Sequence, residues 1–247
     1  MEKRERYQCL DTLRGCTLLS MILYHFIWDL AYVKELEIAW FHSGLAYIWQ
    51  QSICWTFILL SGFCWNLGSK KLLRGSIVFF AGILISIVTE LFLPQHRILF
   101  GVLTFLGSSM LLMVPFSKML RKLSPYVGTI MSILLFAVTK SVNNGYIGLG
   151  KNLTLNLPTE WYDKGHFMTF LGFTDKDFFS SDYFSLFPWF FLFLSGYFLY
   201  RIVFEKGIAS PLKDWKTGNA FFDFLGRHSL IFYLLHQPLL YLILQLC

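Results

Sequence analysis

Long apolar runs broken by short polar ones dominate the chain. A helix crossing a bilayer needs roughly 20 mostly apolar residues at about 1.5 Å each. Seven stretches meet that length and predict helices over about 13–33, 45–67, 73–93, 98–117, 125–141, 183–204 and 227–246. The fifth is the shortest. Period-two alternation is missing from these runs, so membrane-spanning strands are not expected. The polar stretch at 142–182 is long for a connection. It mixes Gly, Asn and Pro with Trp161, Phe167, Phe170 and Phe173, so it is expected to pack back as a lid or interfacial helix.

Composition fixes the class. Of 247 residues, 55% are hydrophobic, 19% aromatic and 15% charged, and mean hydropathy is +0.55. A soluble domain of this length cannot hide that much apolar surface. The expectation is an all-α integral membrane protein, a single-domain bundle of about seven helices over 1–247. The first run is too long for the core of a secretion signal and lacks a small-residue cleavage site, so it is expected to remain as the first helix.

The formal charge of +6 matters less than where it falls. Lys3, Arg4, Arg6, Arg14, Lys70, Lys71, Arg74, three residues of 118–122, and Arg201, Lys206, Lys213, Lys216 and Arg227 alternate onto one side. That side carries fifteen basic residues against six on the other. The excess places the N-terminus in the cytoplasm and the C-terminus outside. No nucleic acid is expected as partner. Asn152-Leu153-Thr154 is a glycosylation sequon, relevant only in a secretory pathway. The five cysteines contain no CxxC pair, there is no metal motif, and four of the cysteines lie in or beside apolar stretches, as small hydrophobes do.

Ionisable residues inside spans are costly and mark function. In the first helix Arg14, Leu18, Met21, His25, Asp29 and Tyr32 share one face. At about 100° per residue, Arg14 and His25 lie within about 20° of each other and about 16 Å apart along the axis. His25 and Asp29 have the i,i+4 spacing at which imidazole and carboxylate can touch. A guanidinium at the inner boundary suits phosphate, and a histidine oriented by a carboxylate suits proton abstraction. Coenzyme A, with phosphates at one end and a thioester at the other, fits that spacing. The blander reading has Arg14 snorkelling to headgroups and His25 bonded to a neighbouring helix. In the last helix, His236 and Gln237 precede Pro238, one turn beyond Tyr233. His42 precedes the second helix. Glu90 is expected to pair with Arg97, and His96 and Arg97 to anchor at the interface. His166 carries no signal.

Leu10-Asp11-Thr12-Leu13-Arg14-Gly15 through His25 and Asp29 resembles the opening of the transmembrane acyltransferases. It is most similar to the catalytic-domain family of heparan-alpha-glucosaminide N-acetyltransferase in its short bacterial form. Three further stretches agree in order: Phe57 to Gly62, Asp182 to Trp189 running on to Ser195-Gly196-Tyr197, and Leu225 to Leu230 followed by Tyr233 to Pro238. The resemblance implies transfer of an acetyl or other acyl group from cytoplasmic acyl-CoA to an acceptor on the far side. Arg14 and His25 match the Arg-x10-His pattern of the wider superfamily, which implies an essential His25. The lysosomal member has Asn in place of His25 and a catalytic histidine just before its second helix, for which His42 is the nearest counterpart.

The leading expectation is thus an acyl-CoA-dependent O- or N-acyltransferase in the bacterial cytoplasmic membrane, carried by eleven groups. Arg14, Lys70, Lys71, Arg74 and Arg227 would attract the nucleotide end. His25, oriented by Asp29, would act as base, with His42 second in rank. His236, Tyr233 or Ser229 would stabilise the oxyanion. The expected partners are acyl-CoA, a glycan-type or small-molecule acceptor and the lipid bilayer, with a homodimer left open. The alternative is a multi-pass transporter or exporter subunit in which the same groups relay protons, although no inverted repeat is apparent.

Overall fold

The computed structural model describes residues 7–150, 153–205, 207 and 219–246. Lys3, Arg4, Arg6, Lys151, Asn152, Lys206, Lys213, Lys216 and Cys247 lie outside the described residues. Each of the seven apolar stretches forms a helix: α1 (Gln8–Tyr32), α2 (Gly44–Trp65), α3 (Lys71–Phe92), α4 (Val102–Leu120), α5 (Pro125–Thr139), α7 (Leu186–Glu205) and α9 (Ser229–Leu246). Two shorter helices are added, α6 (His166–Leu171) and α8 (Ala220–Arg227). Among the described residues, five helices are long and apolar enough to cross a membrane: α3, α4, α5 with its extension to Asn144, α7 and α9. α1 and α2 are as long but more polar, with Asp11, Arg14 and Asp29 on α1 and Gln50, Gln51 and Ser52 on α2. Phe80, Leu84 and Leu91 on α3 are exposed by more than half, as expected where the solvent is lipid.

The chain divides into two compact units, one of residues 1–60 and 203–247, the other of residues 61–202. In the first unit α1 lies directly against α8, and two glycines permit it. A Cβ on Gly15 would strike the Phe222 carbonyl, and one on Gly226 would strike the Asp11 carbonyl. Asn219 caps α8, its side chain accepting from the backbone N–H groups of Phe221 (3.2 Å) and Phe222 (3.4 Å). Leu18, Met21, Ile53 and Leu225 form the buried core, with Tyr24, Trp49, Phe222, Phe232 and Tyr233 packed around it. Trp49 Nε1 donates to Ser20 Oγ across α1 and α2 at 2.8 Å. Asp223, 2% exposed, accepts from Thr12 Oγ1 and Gln8 Nε2. That pairing explains how α8 keeps a carboxylate on its buried face.

In the second unit α3 and α4 approach through small residues. Gly82 lies against the Thr104 backbone and Gly107 against that of Phe79. Close approach at such positions is how helices associate where no hydrophobic drive separates helix from lipid. Arg201 is not the loop cation that the charge alternation assigned. It sits within α7, 8% exposed. Its Nη1 donates to the carbonyls of Leu120 (3.1 Å) and Leu123 (2.9 Å), and its Nη2 to that of Arg121 (3.3 Å). A fork of donors meets the carbonyls that the end of α4 leaves without helical partners.

The polar stretch 142–182 is folded rather than a loose connection. β1 (Tyr146–Leu149) pairs antiparallel with β2 (Leu153–Asn156), Tyr146 opposite Asn156 and Leu149 opposite Leu153. α6 follows, and Phe100 packs against Phe170 and Phe178. Backbone and hydroxyl bonds tie the segment down: Arg97 Nε donates to Phe179 O at 3.2 Å, Leu99 N–H to Ser180 Oγ at 3.0 Å, and Ser181 Oγ to His96 O at 2.9 Å.

Asp182 closes this region by accepting the Val102 N–H at 3.2 Å in the first turn of α4. Burial pushes its carboxyl up to about 6, and the Val102 N–H offsets this only in part. The folded protein therefore holds this proton more tightly than the unfolded chain, where an aspartate titrates near about 3.9. The associated stability is full below about pH 4 and is lost as pH rises through about 6. The unfolding midpoint in detergent is expected to fall between pH 4.5 and pH 7, and Asp182→Asn to flatten that fall. An equally steep fall in the variant would assign the proton to another group.

Candidate active site

α1 carries polar groups at both ends of its buried face, and α8 and α9 supply their partners. At the N-terminal end Asp11, 7% exposed, is shared by two guanidiniums. Arg14 Nη1 stands 3.2 Å from Oδ1 and Arg227 Nε 3.9 Å from Oδ2. Sequence patterning placed Arg14 and Arg227 on the same side. The structure shows what gathers them, a carboxylate on α1 that the same α1–α8 contact buries. Ser229 opens α9, two residues beyond Arg227.

Further along α1 lie four more polar groups. The rings of His25 and His236 stand 4.9 Å apart at 57°. His236, 8% exposed, directs Nδ1 at the Tyr233 carbonyl at 2.6 Å, and the Tyr233 ring lies 5.4 Å from the imidazole. Asp29 is fully buried, and Gln237 Nε2 donates to its Oδ1 at 2.8 Å. The His25–Asp29 contact expected from i,i+4 spacing is replaced by cross-helix pairs, imidazole with imidazole and carboxylate with amide. The physical reason is burial: Gln237 brings a donor to a carboxylate sealed from solvent, and a ring one turn away on the same helix need not. Gln237, named in the sequence only as the neighbour of His236, is the partner of Asp29 that was not among the candidate groups. Its adjacency to His236 was visible, but nothing in the pattern said which helix it would face.

His42 ends a 3-10 turn (Ala39–His42) and is exposed. Its Nδ1 lies 3.4 Å from the Tyr32 hydroxyl at the C-terminal end of α1. Tyr24 links the two regions of the first unit, its ring 6.1 Å from His25 and 5.1 Å from Phe41.

A model of the heparan-alpha-glucosaminide N-acetyltransferase catalytic family matches residues 6–238. The chain belongs to this family. No curated protein and no solved structure matches it. It is accordingly an integral membrane protein of an acetyltransferase family, and the match takes in α1, α2 and α8 as well as the histidine pair.

The remaining cations expected to serve acyl-CoA lie in the second unit of this family member. Lys71 Nζ rests 3.6 Å over the Trp65 ring. Lys70 precedes α3 in a left-handed conformation (φ 49°). Arg74 lies within the first turns of α3, beside Gly68. The second unit also has a cavity of about 660 Å³ lined by Glu90, Arg97, Asp163, His166, Asp175 and Asp177. Arg97 pairs with Glu90 there at 3.6 Å, and Lys176 with Asp163 at 3.2 Å. The Lys176 backbone N–H, and then its ammonium, hold Asp163 below the usual carboxylate range. His166, silent in the sequence, lies in this cavity because α6 begins there.

Proposed function

We propose that the protein transfers an acetyl group from cytoplasmic acetyl-CoA, or another acyl group from its CoA thioester, to a hydroxyl or amine of a glycan-type or small-molecule acceptor outside the membrane. The observation that supports this reading most directly is the polar seam on α1. Arg14 and Arg227 share Asp11 at one end, and His25, His236, Asp29 and Gln237 meet further along. About 16 Å of helix separates Arg14 from His25, a span suited to a phosphate-headed ligand with a long thin arm. In this reading seven helices cross a bacterial cytoplasmic membrane, with the N-terminus inside and the C-terminus outside.

Arg14 and Arg227 hold the CoA phosphates through charge-assisted hydrogen bonds; in the second unit, Lys70, Lys71 and Arg74 are cations that attract anions to the cytoplasmic side. Acetyl-CoA supplies the activated acyl group. The imidazole pair receives the proton of the attacking nucleophile, and Asp29, held by Gln237, stabilises the cation that forms beside it. Tyr233 and Ser229 lie along the same helix as oxyanion donors. His42, on the turn beyond Tyr32, meets the acceptor.

The test is acceptor-dependent release of CoA thiol from acetyl-CoA by the purified full chain in detergent, with glucosamine and glycerol as amine and hydroxyl probes. Release, together with a rise of the unfolding midpoint by acetyl-CoA, is expected. Absence of acceptor-dependent release with both probes would overturn the reading. Arg14→Ala is expected to raise KM for acetyl-CoA about tenfold, the value of one charge-assisted contact, while kcat stays within about twofold. An unchanged KM would remove Arg14 from the CoA site.

A further inference from the structure

We infer that His236 Nε2 is the atom that takes the proton from the acceptor nucleophile, an assignment that rests on the acyl-transfer reading. A carbonyl oxygen only accepts hydrogen bonds. The 2.6 Å contact from His236 Nδ1 to the Tyr233 carbonyl therefore puts the proton on Nδ1. In a neutral imidazole that leaves Nε2 as a bare lone pair. This nitrogen is buried and has no hydrogen-bond partner among the described residues. An unmet buried acceptor costs about 1–3 kcal/mol, so such atoms persist where something outside the chain meets them.

A second acceptor stands in the same condition on the adjacent residue. Gln237 gives its Nε2 to Asp29, and its Oε1 is buried with no partner among the described residues. Both residues address α1, His236 through the His25 ring and Gln237 through Asp29. Two neighbouring lone pairs on the buried face of α9 call for a hydrogen-bond donor, and the N–H or O–H of an acyl acceptor is one. The backbone carbonyl plays the orienting part that a carboxylate plays in a serine–histidine–aspartate triad. His25 differs in this respect: it makes ring contacts with His236 and Tyr24, and among the described residues no hydrogen bond fixes its tautomer. It can present an N–H to the thioester oxygen.

The step balances as follows. The nucleophile's lone pair forms a bond to the thioester carbonyl carbon as its proton passes to His236 Nε2. The carbonyl electron pair moves onto oxygen and returns as the carbon–sulfur bond breaks. The imidazolium then gives its Nε2 proton to the departing thiolate. Acyl acceptor and acyl-CoA become acylated acceptor and free CoA thiol, and His236 recovers its starting tautomer with Nδ1–H on Tyr233 throughout.

The experiment compares wild type, His236→Ala and His236→Asn in detergent, with acetyl-CoA and whichever of glucosamine or glycerol supports wild-type turnover. Asn can still donate to the Tyr233 carbonyl but has no counterpart to Nε2, which makes it the folded control. Both variants are expected to lose about 10²–10⁴-fold in kcat with KM for acetyl-CoA within about twofold. Added imidazole is expected to restore His236→Ala at least tenfold. In wild type, 15N spectra of the labelled imidazole should show protonated Nδ1 and unprotonated Nε2. Wild-type turnover with kcat retained within tenfold in His236→Asn, or with Nε2 protonated, overturns the assignment alone. No turnover by wild type with either probe overturns the acyl-transfer reading and this assignment with it.

Discussion

Replacing His25 by alanine is expected to lower kcat for acyl transfer by about 10²–10³-fold, the usual loss when one donor or proton-transfer group beside the reacting atoms is removed. The variant should still fold and should still show the acetyl-CoA-induced rise in unfolding midpoint, because Arg14, Asp11 and Arg227 are untouched more than two turns away. His25 stands against His236 within a buried polar group that includes a fully buried carboxylate. Among the described residues its side chain completes no backbone cap and no ion pair, so the helix ends do not depend on it. CoA release measured beside a thermal shift separates the two effects. Turnover within tenfold of wild type would take His25 out of the chemistry and leave His42 as the next histidine to test.

The largest effect on stability is expected at the α1–α8 contact. Gly15→Leu places a side chain where the Phe222 carbonyl already stands, and Gly226→Leu does the same against the Asp11 carbonyl. Backbone cannot move aside as a flexible side chain can, so each substitution separates the helices. Overpacking of this kind costs about 1–3 kcal/mol or more, and a midpoint fall of roughly 5 °C or more is expected for a chain of this size. Separation of α1 from α8 also draws Asp11 away from Arg227 and Asp223 away from Thr12 and Gln8. Acetyl-CoA affinity should therefore fall with stability. Gly44→Ala is the matched control, since nothing lies within 4 Å of a Cβ there. Equal midpoints for Gly15→Leu, Gly226→Leu and Gly44→Ala would refute the close-packed contact.

Hydropathy alone located every long helix, because a long apolar run that can satisfy its own backbone as a helix announces itself by length and composition. The same patterning put Arg14, His25 and Asp29 on one face of α1, since helical periodicity is local. It also paired Glu90 with Arg97, which the structure bears out at 3.6 Å. Partners across helices were not legible. Arg201 read as a loop cation because charge counting is blind to depth, yet it caps α4 from within α7. α8 was absorbed into a connection, being only eight residues long and carrying Asp223 and Arg227. The hairpin and α6 were hidden in a stretch whose pattern said only that its aromatics must pack.

From its sequence alone, then, this chain is a multi-helix membrane protein with a polar stripe on its first helix. Those properties follow from composition and from spacing along one helix. Only tertiary structure decided that Asp29 turns to Gln237, that His25 meets His236, and that Asp11 gathers Arg14 with Arg227. These contacts join residues some two hundred positions apart. Their geometry depends on where glycines let two helices touch, which no local periodicity encodes.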